Sequence, residues 1–408
     1  MQLDLFKSLQ KAYVQGPVSN DDLYEQLVAD GVIDRSKLDE KQIVGSAGKE
    51  YKCLKRRVRW AQQTLKKRGL LESAGERGRW RLTEAGRRGL TPAQPGKVLV
   101  AFSTKLGLAL WASCDDVFAH LDAPISLCLT SPPYPLARPR AYGNPTEAEY
   151  VDWLCARLES IVKHLMPGGS IVLNISNDIF LSKSPARSMY CERLLIALHE
   201  RLGLWLMDRH VWNNPCRPPG PMQWASKERI HLNVAWEPVY WLTNDPSRVR
   251  ANNQRVLEPH TEKHLKLMRS GGERSARSSG DGAHRVRVGA YGNETAGRIP
   301  KNVLTVRHNC ASQDQYKAYC RSLGLPAHGA SMPLALAKKY VEFLTEKDDL
   351  VVDLFGGGLT TGLAAEELGR YWVVTELMGE HVMGGAGRFH GADGFEDYMT
   401  PIAMEVQG

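Results

Sequence analysis

With 408 residues, 43% of them hydrophobic and 24% charged, the chain can bury a full globular core as one large unit plus a smaller one, which excludes a disordered or fibrous class. No run approaches the roughly 18 apolar residues of a spanning helix, and "MQLDLFKSLQ" lacks a signal peptide's apolar stretch. Eight cysteines without a C-x-x-C pair fit reduced thiols in a cytoplasm and give no metal signature. The net charge of +8 is uneven: residues 1–96 hold 19 Lys and Arg against 12 Asp and Glu, and residues 244–301 hold 12 against 6. Two basic regions flanking a slightly acidic body point to a polyanionic partner and away from a membrane.

Residues 1–90 read as a helical unit ending in a small hairpin. "SNDDLYEQLVADG" starts on capping residues and stops at Gly31, while "YKCLKRRVRWAQQTLKKRGLL" sets Leu54, Val58, Ala61 and Leu65 on one face and Lys/Arg on the other. "LLESAGERGRWRLTEAGRRGL" then gives two short strands around a Gly-containing turn. This order resembles the winged-helix modules of bacterial DNA-modifying and restriction proteins, with a folded packing or dimerisation unit as the alternative. Residues 91–97, around "TPAQPG", read as a linker.

From 98 to 243 strands alternate with helices, which predicts a mainly parallel sheet covered by helices. Residues 244–300 break that pattern. "SGGERSARSSGDGAHRVRVGAYGNETAG" is rich in Gly, Ser and Arg, so a long, mobile basic insertion is expected. Regular patterning returns over 301–408 in "MPLALAKKYVEFLT", "DLVVDLFGGG" and "RYWVVTEL".

Two stretches carry chemistry. In "DLVVDLFGGGLTTGLAAEELGRYWVVTEL" a buried strand ends at Asp353, a glycine turn and helix follow, and the next strand ends at Glu376. Glycines admit a close ligand, a helix N-terminus offers N–H groups, and a carboxylate at the second strand tip can bind both ribose hydroxyls. That combination suits a nucleoside-containing cofactor, and the absence of G-K-[ST] argues against a P-loop. The other stretch is "LCLTSPPYPL", where a strand stops at Thr130-Ser131-Pro132-Pro133-Tyr134. Two prolines cannot continue the ladder, so they stiffen an exposed turn.

"TSPPY" followed far downstream by "DLFGGGLTT" resembles the S-adenosylmethionine-dependent DNA amino-methyltransferases in their permuted, beta-type order, with a target-recognition region between. The likeness spans about 105–390. It implies a Rossmann-like α/β fold with an N-terminal winged helix, S-adenosylmethionine as cofactor, and double-stranded DNA as partner. A separate restriction endonuclease for the same site, and a monomer or homodimer, go with that family. It also implies roles residue by residue. Ser131, Pro132, Pro133 and Tyr134 would be catalytic. Asp353, Phe355, Gly356, Gly357, Gly358, Thr360, Thr361 and Glu376 would hold the cofactor, with Asp115 at its adenine and Ser331, in "HGASMP", at its methionine end. Leu359 replaces a usual third glycine and Met332 a usual aromatic.

The chemistry explains the serine. The lone pair of cytosine N4 is delocalised into the ring, and acceptors at its N–H bonds draw the nitrogen toward a nucleophilic geometry. Ser131 Oγ and the Pro132 carbonyl are such acceptors, and Tyr134 offers a face to a base taken out of the duplex. The Ser variant is usual in N4-cytosine enzymes, whereas Asp or Asn variants usually modify N6 of adenine. The adenine reading of the same fold, and a DNA-binding regulator with a degenerate body, are the alternatives. Pro215-Cys216 matches the nucleophile pair of C5-cytosine enzymes, but the motif order and the lack of a following Glu-Asn-Val argue against that role. Trp224 reads as a packed loop aromatic.

Overall fold

The computed structural model describes residues 8–399 other than 10, 15, 45–48, 68–69, 84–85, 87–89, 138–139, 141–142 and 279. In the N-terminal unit, β1 (Val18–Ser19) leads into α1 (Asn20–Ala29), whose first turn is capped by Ser19 accepting from Asp22 N. There follow α2 (Arg35–Leu38), β2 (Lys41–Val44), β3 (Lys49–Lys52), α3 (Cys53–Lys67), β4 (Leu71–Ser73) and β5 (Arg79–Leu82). β1, β5 and β4 form an antiparallel sheet in that spatial order. The β2–β3 hairpin has no counterpart in the sequence reading, because "KQIV" and "KEYK" carry little of the apolar alternation that marks a strand. Val58, Ala61 and Leu65 of α3 pack against Leu23 and Leu27, as their spacing predicts, and Arg56, Arg57 and Arg59 face outward.

The expected linker is fastened down. Ala93 N donates to Leu377 O (2.7 Å), Gly379 N donates to Thr91 O (3.0 Å), and Thr91 N reaches the buried Glu380 carboxylate at 2.6 Å. Met378, two residues beyond a strand of the larger body, is buried in the N-terminal core.

That body is a ten-stranded sheet. Its strands in chain order are β6 (Leu99–Ser103), β7 (Gly107–Trp111), β8 (Ile125–Thr130), β9 (Leu165–Asn174), β10 (Trp205–Asn213), β11 (Trp236–Thr243), β14 (Val303–Thr305), β15 (Leu350–Asp353), β16 (Tyr371–Glu376) and β17 (Glu396–Asp397). The intervening β12 (Arg277–Ser278) and β13 (Arg285–Val286) form a separate hairpin. Spatial order is β14-β10-β11-β9-β8-β15-β16-β7-β6-β17. The middle, from β9 to β7, is parallel, while β11 runs antiparallel to both its neighbours and β6 and β17 add antiparallel pairs. The sheet is therefore mixed, where a mainly parallel one was expected. Helical patterning between strands marks the crossovers, but "EPVYWLT" arrives by a loop, and a loop return permits antiparallel pairing.

β8 is buried throughout, the mark of a central strand covered on both faces. Leu127 and Leu129 point into one hydrophobic layer and Cys128 into the other. α9 (Leu334–Leu344), α10 (Thr360–Glu367) and α11 (Gly379–Ala386) cover the first face. α5 (Tyr150–His164) and α6 (Tyr190–Leu202) cover the second. The described residues also include α4 (Cys114–Phe118), α7 (Glu262–Arg269) and α8 (Ala311–Ser322).

Residues 244–300, expected to lack structure, contain α7 and the β12–β13 hairpin. Gly272 is the only buried one among the described residues of that stretch, which agrees with its poor apolar content. Polar contacts hold it. Glu258 and Arg298 exchange backbone hydrogen bonds and pair side chains at 2.9 Å, and Lys339 of α9 reaches Glu258 at 2.7 Å.

Candidate active site

The parallel strands aim their carboxyl ends at one edge, where α/β sheets bind ligands. Ser131 follows β8, Asn174 ends β9, Asp353 ends β15 and Glu376 ends β16. Because β11 is antiparallel, it brings its N-terminal end to the same edge: Val239 lies opposite Asn174, which sets Glu237 beside it. Ser131, Asn174, Glu237 and Glu376 line a cavity of about 910 Å³, ample for a large ligand.

Of the residues predicted to be catalytic, Ser131, Pro132, Pro133 and Tyr134 all line the cavity. Among those predicted for the cofactor, Ser331, Phe355, Gly357 and Glu376 line it too. The Phe355 ring stacks on Trp153 at 5.4 Å, and the Arg157 guanidinium lies 4.3 Å from the Trp153 ring.

The others shape the turn from behind. Asp353 is buried and accepts from Thr130 Oγ1 (2.6 Å) and Phe355 N (3.0 Å), tying the two motifs together. Burial pushes its carboxyl up to about 6 despite those bonds. Thr361 Oγ1 donates to Leu129 O at 3.2 Å. Arg388 braces Gly358 O (2.6 Å), Thr360 Oγ1 (2.9 Å) and Ser312 Oγ (2.6 Å). A Cβ on Gly356 would lie 2.4 Å from Val374 Cγ1, and one on Gly358 would lie 2.6 Å from Ser331 Oγ. Asp115 stands apart: its half-exposed carboxylate pairs with Arg157 at 3.1 Å, while Ser113 and Cys114 reach the cavity.

Leu359, the departure from a third glycine, has φ 59° and is fully buried. The left-handed region costs a non-glycine residue about 1–2 kcal/mol. Gly356 and Gly385 make room for its side chain, whose burial offsets that cost. Met332, the other departure, is buried in the same layer and also lines the cavity.

Glu376 is buried, which alone would raise its pKa, yet its carboxyl is held below the ordinary value by the imidazoles of His381 and His328 and by Met378 N. Its Oε2 accepts from Gly357 N (2.7 Å) and its Oε1 from Met378 N (2.8 Å), with His381 Nδ1 3.4 Å from Oε1. His328 lies edge-on to His381 and lines the cavity, and burial lowers its pKa to about 4, so it is neutral near pH 7.

Sequence reasoning missed the polar groups behind Ser131. Ser131 Oγ and Tyr134 Oη are 3.1 Å apart. Tyr134 Oη donates to Glu237 Oε2 at 3.1 Å, as does Asn174 Nδ2 at 3.1 Å. Arg217 Nη1 donates to Glu237 Oε1 at 2.7 Å, and Asp178 stands between Arg217 and Arg187 at 3.6 and 3.2 Å. Tyr134, read only as a stacking face, also works through its hydroxyl. A Glu at the start of the apolar strand "WEPVYWLT" was the available signal. Cys216 lies exposed at the rim, and Trp224 packs 6.3 Å from Phe180.

Comparison with known proteins agrees with this geometry. Residues 125–384 match the DNA methylase family and residues 3–91 match the Mrr N-terminal domain. The type II methyltransferase M.PvuII of Proteus hauseri is 34% identical over 285 residues, 70% of this chain and 84% of that protein. M.BglII of Bacillus subtilis, another type II methyltransferase, is 27% identical over 66% of this chain and 65% of that protein. The solved structure of the PvuII DNA methyltransferase (cytosine-N4-specific) superposes with a TM-score of 0.57 at 30% identity, covering 75% of this chain and 94% of that one. With its central fold matched over 260 residues and a third of its aligned positions shared with such an enzyme, this chain belongs to the DNA methylase family.

Proposed function

We propose that this protein is a site-specific methyltransferase that modifies N4 of cytosine in double-stranded DNA, with S-adenosylmethionine as methyl donor. The observation that carries the reading is one cavity lined by Ser131 and Tyr134 together with Phe355, Gly357 and Glu376. The M.PvuII likeness supports the choice of cytosine, as does the uncharged serine.

The cofactor residues fit the group. Glu376 keeps lone pairs available for ribose hydroxyls beyond its two backbone donors, Phe355 offers an apolar face, and Ser331 lines the same cavity. When bound, S-adenosylmethionine supplies an electrophilic methyl group. The chain does the rest: Ser131 Oγ and the Pro132 carbonyl accept from the target amine, the prolines hold that carbonyl outward, and Tyr134 walls the base pocket. The target amine is itself the nucleophile and its proton is released to solvent, so no covalent enzyme intermediate is needed. The test is to digest methylated duplex to nucleosides and separate them by mass spectrometry. N4-methylcytosine is expected, and N6-methyladenine alone would replace the cytosine assignment with the adenine one.

The N-terminal unit acts as a winged helix on DNA, a reading supported by its β1-β5-β4 sheet, its outward arginines and the Mrr N-terminal match. DNA affinity should then fall with salt, and the Arg56→Ala/Arg57→Ala variant should reduce the slope of log affinity against log salt by about 0.9 per lost phosphate contact. Fluorescence anisotropy over a salt series measures this; an unchanged slope makes the unit a packing module.

A further inference from the structure

We infer that Glu237 is a positioning residue that fixes the direction of the hydrogen-bond chain ending at Ser131, and so makes Ser131 an acceptor for an amine. The inference rests on the reading of Ser131 as the group that meets the target.

A serine hydroxyl carries one proton and two lone pairs and can present either to a substrate. Which one it presents decides the chemistry: a proton aimed at the target nitrogen would compete for the lone pair that must react, whereas a lone pair strengthens it. Nothing in Ser131 itself makes that choice, and its contact with Tyr134 Oη at 3.1 Å can run either way.

Glu237 decides it. Its carboxylate, paired with the Arg217 guanidinium at 2.7 Å, serves its neighbours as an acceptor. Tyr134 has a single proton, and burial together with the Glu237 charge keeps that proton on the phenol. Two acceptors stand 3.1 Å from the phenol oxygen, Ser131 Oγ and Glu237 Oε2, and the charged carboxylate is the stronger, with the Asn174 carbonyl farther off at 3.5 Å. With its proton committed to Glu237, Tyr134 can meet Ser131 only as an acceptor. Ser131 therefore donates to Tyr134, and its lone pairs are left for the cavity. Asn174 Nδ2 and Arg217 are both donors to the same carboxylate, so neither reverses the polarity. Asp178, between Arg217 and Arg187, holds Arg217 in place.

Replacing the carboxylate by an amide breaks the logic without changing the shape. In Glu237→Gln the amide oxygen must face the Arg217 donor, which turns the NH₂ group toward Tyr134 and forces the phenol to accept. Tyr134 then donates to Ser131, and Ser131 turns its own proton outward. Tyr134→Phe keeps the ring but removes the relay.

The experiment measures methyl incorporation into unmethylated bacterial genomic DNA by full-length wild type, Glu237→Gln, Tyr134→Phe, the double variant and Ser131→Ala, with cofactor affinity taken by calorimetry. Glu237→Gln and Tyr134→Phe should each lower kcat about tenfold, the size of one lost hydrogen bond to a charged group, with cofactor Kd unchanged. In the double variant the two effects should not multiply, because both act through one hydroxyl. Additive free energies, or an unchanged kcat in Tyr134→Phe, overturn the proposal; Tyr134→Phe keeps the test decisive if Glu237→Gln fails to fold. A Ser131→Ala enzyme of full activity overturns the underlying reading as well. An inactive Ser131→Ala alongside multiplying effects overturns the polarity relay alone.

Discussion

Replacing Ser131 with alanine is expected to remove most methyl transfer while leaving cofactor binding intact. The serine sits at the turn after β8 and lines the same cavity as Glu376, and its Oγ meets Tyr134 Oη at 3.1 Å. Positive charge develops on the target nitrogen during transfer, and a placed acceptor lone pair is worth more there than in the ground state. Removing one preorganised hydrogen-bonding group of this kind costs on the order of 100-fold or more in kcat. Alanine keeps the backbone of the Pro-Pro turn, so the Pro132 carbonyl still accepts and a residual rate should survive. Single-turnover assays at saturating cofactor separate this from a binding defect. A rate within a few-fold of wild type would take the target amine away from Ser131.

Glu376→Ala is expected to act on the cofactor instead. The carboxylate ends β16, carries two backbone N–H bonds and lines the cavity. Loss of charged hydrogen bonds to ribose weakens binding by about 1–3 kcal/mol, roughly 5- to 150-fold in Kd. The substitution also leaves Gly357 N and Met378 N without their acceptor in a buried place, so a fall in thermal stability should accompany it. Calorimetry on the folded variant reads the first effect and thermal unfolding the second. Equal cofactor affinity in both proteins would remove Glu376 from the site.

How much of this was legible in the sequence depended on range. Local signals worked: the glycine turn, the strand ends at Asp353 and Glu376, and the Pro-Pro stop after β8 each need only a few neighbouring residues. The apolar face of α3 came through for the same reason, since helical spacing is a local pattern. What failed was non-local. Glu237 is 106 residues from Ser131 in the chain, and only the antiparallel placement of β11 brings them to one edge. Asp115, which the resemblance puts at the cofactor adenine, pairs with Arg157 on α5, a contact that spacing along the chain does not announce. The order within 244–300 was illegible because it rests on ion pairs such as Glu258 with Arg298 and Lys339, and composition carries no trace of pairing.

The fastening of residues 91–93 to 377–380 bears on how this protein can be taken apart. Glu376 and Leu377 line the cavity, and the very next residue, Met378, is buried in the other unit's core. One short run of chain thus belongs to both units. A cut at the apparent boundary would leave a bare methionine on the catalytic body and a hole in the partner's core, each costing stability. Chimeras that borrow a different N-terminal unit would have to carry residues 376–380 across with it, or redesign that surface. The two parts are joined like a mortise and tenon and cannot be exchanged as independent cassettes.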